Sequence, residues 1–206
     1  MTKPGKDIST IADFAPENTE AGVGLALLDD SGRYLFFLAG TRHNNPPGEL
    51  FYAGIGGHRE AGENWLACAQ REAKEEIGTE VEILSAPITW FISQHGAIQK
   101  LEVRDQPLPL AFYEMIHPER TPRAGELYRI VIYKARLQHK PKDLPSDEVL
   151  GVIALTAEQV KRGPERRPSV AELIEEGGSV VAGGELLDWG VRLYPLGTAM
   201  ALAQIL

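Results

Sequence analysis

The sequence predicts an α+β fold built around one core, strand-rich in its first part with helices added later. Three observations carry that expectation. Short runs rich in Val, Leu, Ile and aromatic residues recur from 22 to 155, divided by Gly, Pro and Asp turns. One longer segment among them, 64–77, has helical periodicity instead. The chain has 206 residues, 43% of them hydrophobic, which is enough for one substantial core.

Residues 1–20 are polar and without period, so they read as a flexible arm ahead of a single domain, 21–206. Residues 22–28 and 33–38 are apolar runs around Asp29-Asp30-Ser31-Gly32, the pattern of a β-hairpin. Prolines 46 and 47 with Gly48 make 42–48 a loop, and 50–55 is a short strand leading into Gly56-Gly57. A helix follows over 64–77, with Leu66, Ala69, Ala73 and Ile77 as its buried stripe and Gly78 as its left-handed stop. Segments 80–84, 88–92, 108–116 and 127–137 are strand-like, and 149–155 is a further apolar run. Thr156 caps a helix running through Val160. Ser169 with Glu172 forms a capping box, and 198–206 is an apolar terminal helix.

The net charge of -8 argues against a broad surface for a nucleic acid polymer, which must be basic. No apolar run is long enough to cross a bilayer, and no hydrophobic stretch follows the N-terminus to make a secretory signal. Cys68 is the only cysteine, so no intrachain disulfide forms, and a reducing, cytoplasmic setting is expected.

The helix at 64–77 carries the chemistry. Glu72, Glu75 and Glu76 fall within an arc of about 100° on one face. Carboxylates bunched in this way repel one another, and hard divalent cations favour such oxygen sets. Arg71 stands four residues before Glu75 and can pair with it. Gly56 and Gly57 let the backbone approach closely, and Glu63 stands near the helix start.

The spacing is Gly57, five residues, Glu63, seven residues, then Arg71-Glu72-Ala73-Lys74-Glu75-Glu76-Ile77-Gly78. This resembles the signature of the Nudix hydrolase family, over about a tenth of the chain. Thr79 departs from it, standing where the family usually has an aliphatic residue. The resemblance implies an α/β/α sandwich with a mixed β-sheet, the motif helix packed on it and extra C-terminal helices. It implies hydrolysis of the pyrophosphate bond of a nucleoside diphosphate linked to another group, with Mg2+ or Mn2+. Gly56, Glu72, Glu75 and Glu76 are then the metal ligands, and Arg71, Glu72 and Glu75 belong to the catalytic set. The family often takes a further acid from a loop after the long strand. Glu148 is the first choice, Asp147 the second, and Glu126 and Glu114 stand behind them. Gly57, His58 and Arg42 are expected to contact substrate. The family often dimerises, and the arm at 1–20 or the last helix is a candidate surface for a homodimer, with the oligomeric state left open.

Other residues carry less. Tyr34, Phe36, Phe37, Phe51 and Tyr52 include candidates for stacking on a nucleobase, although most strand aromatics are core. His43 and His95 sit in loops, and Trp65 and Cys68 read as packing residues. The leading substrates are ADP-ribose or a nucleotide sugar, then a nucleoside triphosphate. A non-catalytic nucleotide-binding regulatory module is the alternative, although such modules usually lose motif carboxylates and none is lost here. A prenyl diphosphate isomerase would need a better-placed cysteine than Cys68. Residues 93–125, a long insert, are expected to shape the pocket.

Overall fold

The structure, a computed structural model, describes residues 7–119 and 123–206. Its centre is β1 (Ala21–Leu28), which runs parallel to β8 (Leu127–Leu137) from Ala21 opposite Arg129 to Leu28 opposite Arg136. The expected hairpin forms. Asp29 Oδ1 accepts the N–H groups of Ser31 and Arg33, and β2 (Tyr34–Ala39) returns antiparallel. Outward from β2 lie β9 (Val149–Leu155) and then β10 (Ser179–Gly183), each antiparallel to its neighbour. Outward from β8 lie β7 (Ala111–Ile116), β5 (Thr89–Ile92) and β6 (Ile98–Leu101). β4 (Val81–Leu84) pairs with the far half of β8. β3 (Glu49–Ala53) joins β2 to β11 (Arg192–Leu196), the latter pair being parallel. The result is one mixed, eleven-stranded sheet.

Alternation along β8 shows how the layers arise. Val131, Tyr133 and Ala135 face a core that includes Cys68, Ala69, Ala73 and Ile77 of the motif helix, α2 (Trp65–Ile77). Tyr128, Ile130 and Ile132 face the opposite core. There α3 (Ala157–Arg166), α4 (Val170–Glu175) and α5 (Thr198–Ile205) supply Val160, Leu173 and Leu202. Helices therefore cover both faces of the mixed sheet, as the α/β/α expectation required.

Several expectations change. The arm is not loose where it is described. α1 (Ile11–Phe14) puts Ile11 and Phe14 in the core, and Phe14 stacks on Phe112 at 4.7 Å and meets Phe91 edge-on at 6.3 Å. Residues 1–6 lie outside the described residues. Leu66 is exposed, and Cys68 takes its expected place in the buried stripe of α2. α3 runs to Arg166 rather than ending by Val160, with Pro164 inside it. The strands β6, β10 and β11 fall outside the strand-like segments of the sequence.

One feature positions the site. β1 registers with β2 only at Leu27 and Leu28. Along 21–25 its edge is taken by the loop 55–59. Leu25 N donates to Ile55 O (2.8 Å), Val23 N to Gly57 O (2.9 Å) and Arg59 N to Ala21 O (3.1 Å). The loop ahead of the motif helix is thus held like a strand.

Candidate functional site

The motif helix starts where Asn64 accepts the Ala67 N–H through its side chain, and it ends at Gly78 with φ 63°. Gly56 has φ 144°, and a Cβ there would stand 2.2 Å from Val23 O, so both conformation and space require glycine. Gly57 lies against Glu72, where a Cβ would come within 2.6 Å of both carboxylate oxygens. The loop and the helix therefore meet without side-chain bulk between them.

Arg71 organises the acids. Nε and Nη2 bind the two oxygens of Glu63, each at 3.0 Å. Nη1 is shared between Glu72 Oε1 (2.7 Å) and Glu75 Oε2 (3.0 Å), and Nη2 also reaches the His58 carbonyl at 2.9 Å. Three carboxylates and a carbonyl thus occupy the whole guanidinium fork, which suits arginine to orienting acids rather than to greeting a substrate. Arg71 in turn holds Glu63 below the usual carboxylate range.

Two of the helix acids are buried. Burial raises Glu72, against the pull of Arg71, and repulsion from Glu75 and Glu148 adds to it. Burial raises Glu76 well above its ordinary value, with Glu72, Glu148 and Glu75 pushing the same way and the Gly56 N–H, 2.9 Å from Oε2, pulling it down. Glu75 is exposed.

Glu148, 72 residues past Glu76 in sequence, lies near enough for its charge to add to the upward shift of both Glu72 and Glu76. The loop carrying it is tied to the loop after β2. Gly40 N donates to Glu148 O (2.8 Å) and Arg42 N to Asp147 O (2.7 Å), while Arg42 Nη1 pairs with Glu148 Oε2 at 3.1 Å. Asp147 itself is exposed. Glu114 meets the Gln94 N–H at 3.4 Å, and Glu126 lies beside His117 at the β7–β8 turn. The structure therefore groups Glu148 and Arg42 with the helix acids.

Among the aromatics, Phe36 and Tyr52 lie in the core opposite α2 and Phe37 in the core on its side. Phe51 is half-buried and meets His43 edge-on at 4.9 Å, and His43 feels the charge of Glu148. His95 is exposed on the Ser93–Ala97 turn. Cys68 is buried and pushed up to about 12 by desolvation, which removes it as a nucleophile. Thr79 is buried, with its hydroxyl donating to Glu80 O at 3.3 Å.

His58 belongs to a group that the sequence did not announce. Its Nε2 lies 2.7 Å from Glu20 Oε1, which is also ion-paired with Arg123. Its ring leans on Tyr128 (4.7 Å), and Tyr128 leans on His117 (5.2 Å). Burial holds His117 below its usual value, with His58 and Arg123 acting in the same direction. Glu20 and His58 are far in sequence from residues 117–128, so only the pairing of β7, β8, β1 and the 55–59 loop could bring them together.

Part of the insert lines a cleft of about 290 Å³ on the α5 side of the sheet, away from the motif helix. Ser93, Gln94 and residues 113–116 form one side, and Gly197, Met200 and Gln204 stand on the other.

The model of the NUDIX domain matches residues 18–176. No curated protein matches the chain. Among solved structures, the chain is similar to a NUDIX hydrolase from Nitrosomonas europaea, with 16% identity and a TM-score of 0.48 over 76% of this chain and 86% of that one. It is similar to a NUDIX-family hydrolase from Clostridium perfringens, with 17% identity and a TM-score of 0.47 over 70% and 86%. It is similar also to the MutT protein from Methanosarcina mazei, with 14% identity and a TM-score of 0.48 over 76% and 88%. Likenesses of this size add no weight, and the family assignment stands on the domain match.

Proposed function

The chain belongs to the NUDIX family and is a pyrophosphohydrolase of that family, and from that premise we propose that it is a metal-dependent enzyme acting on a nucleoside diphosphate linked to a second moiety, ADP-ribose or a nucleotide sugar first. The observation that carries the reading is the burial of two acids of one helix face, Glu72 and Glu76, beside Glu75 and Glu148, around a loop kept clear by Gly56 and Gly57.

The donor set fits Mg2+ or Mn2+. It is made of hard carboxylate oxygens, and acids raised by burial, with their neighbours' charge adding to it, gain most from a cation. Among the described residues, no three acidic, His or Cys side chains already stand close enough to enclose an ion. Glu72, Glu75 and Glu76, with the Gly56 carbonyl, would hold it by drawing together. Such an ion supplies charge neutralisation on the pyrophosphate and a more acidic water.

The remaining work falls to the chain's own groups. Arg71 sets the rotamers of Glu72 and Glu75 through a fork with no donor to spare. Glu148 is the proposed base, taking a proton from the attacking water at its carboxylate, and Arg42 fixes its orientation. Glu72 is the second choice for that role. Gly57 leaves room at Glu72, and Arg42 and His58 flank the site as phosphate contacts.

A panel of ADP-ribose, nucleotide sugars and nucleoside triphosphates with Mg2+ or Mn2+, read by nucleotide release, tests the proposal. Turnover of a nucleoside diphosphate derivative that is lost in Glu75→Gln and Glu76→Gln is expected. Full activity in both variants would remove the metal-ligand assignment.

A further inference from the structure

Apart from the helix acids, Glu20 is met by His58, which follows Gly57 in the chain, and by Arg123, with the half-buried His117 beyond Tyr128. Glu20 Oε1 is sealed from solvent and is met by ion pairs with His58 and Arg123 rather than by an aligned hydrogen bond. His117 Nε2 is buried nearby and has no hydrogen-bond partner among the described residues. Tyr128 is wedged between the two imidazoles, and its hydroxyl fills the space where a side chain on Gly22 would begin. His58 is further fixed by its backbone, which bridges to Gly22 and accepts from Arg71. His58 is thus held in place beside Glu20, whose side chain is about one-third exposed.

We propose that His58 and Arg123, with His117 beside them, form a phosphoryl-binding subsite in which the Glu20 carboxylate stands where a substrate phosphate oxygen binds. A carboxylate oxygen and a phosphate oxygen ask for the same donors, and phosphate brings more of them and more charge. The subsite adjoins Gly57, which lies against Glu72. A diphosphate can therefore place one phosphoryl group by the helix acids and the other by His58 and Arg123. This deepens the proposed activity and rests on it, since it assigns the second phosphate of the same substrate. Glu20 then competes with the ligand, and removing its charge improves binding. A substrate-binding or metal-binding acid would do the opposite.

The test is calorimetric titration with inorganic pyrophosphate and with inorganic phosphate in EDTA, where neither metal nor turnover enters. An exposed ion pair is worth at most about fivefold in an equilibrium, so Glu20→Gln tightens the Kd by about three- to fivefold. Arg123→Gln and His58→Gln, each losing a charge-assisted contact, weaken it by about tenfold or more. In a parallel NMR titration the imidazole signals of His58 and His117 move, while those of His95 and His139 stay. An unchanged or weaker Kd in Glu20→Gln, or an unaffected Arg123→Gln, overturns the subsite, as does movement of only the other histidines. Metal-dependent hydrolysis that survives such a result spares the family reading. Tighter binding in Glu20→Gln with no hydrolysis of any nucleoside diphosphate derivative would instead sink that reading and keep the subsite.

Discussion

Replacing Gly57 by alanine inserts one methyl group at the contact between loop and helix. The new Cβ would stand 2.6 Å from Glu72 Oε1 and Oε2, where ordinary contact begins near 3.4 Å, so the carboxylate must retreat by just under an ångström. It cannot move without cost, because Glu72 is buried and bonded to Arg71 at 2.7 Å. The backbone cannot yield either, since Gly57 O is bonded to Val23 N and Arg71 holds the next carbonyl. Misplacing a catalytic group by about 1 Å costs on the order of 100-fold in rate, so kcat is expected to fall about 100-fold. The substrate found in the panel gives the assay, with thermal melting as the control. The strain acts at a side chain rather than at a left-handed backbone, so the midpoint should shift by no more than about 5 °C, the equivalent of about 1–2 kcal/mol. A kcat within threefold of the parent would refute the claim that the glycine exists to seat Glu72.

Glu148→Gln removes the proposed base while keeping its contact with Arg42, and turnover should fall by about 100-fold or more; near-normal turnover would take Glu148 out of the mechanism. In EDTA, Glu76→Gln should stabilise the protein at pH 8. The folded value of Glu76 stands above its ordinary 4.5, so its contribution is fully present below pH 4.5 and is lost as pH rises through the folded value. The melting difference between variant and parent should grow upward from about pH 4.5, and a difference that stays constant or shrinks would contradict the burial argument. Phe14→Ala empties a ring site stacked on Phe112 and should lower the unfolding free energy by about 3–5 kcal/mol in urea titrations. A loss under about 1 kcal/mol would mean that α1 is only draped on the core.

The motif helix was legible almost to the residue, because its cap, its left-handed stop and its acids are all local. Asn64 and Gly78 do what their residue types allow wherever they fall. The strand 127–137 was equally plain, since its β-branched and aromatic run is long. Strands β6, β10 and β11 were hidden because each is short and gains its order from a partner already in place. β11, with Pro195 inside it, would not stand as a strand without β3 beside it. Phe14 shows the same limit, as nothing in a polar arm says that one ring will find Phe112. At the site, Arg71 and the helix acids followed from spacing. The meeting of Glu20, His58, Arg123 and His117 depends on how β1, β7 and β8 align, and spacing alone does not encode that.

The pairing of β11 with β3 also bears on how the chain matures as it is made. β3 comes from residues 49–53 and its outer neighbour from 192–196, so about 140 residues must be synthesised between them. At roughly 5–20 residues per second, that edge stays open for about 7–28 seconds, offering unpaired N–H and C=O groups to other nascent chains. A protein trimmed after residue 176, where the domain match stops, would keep that edge open permanently. The last thirty residues thus serve as a cover that arrives late, and expression yield should depend on them more than any catalytic residue does.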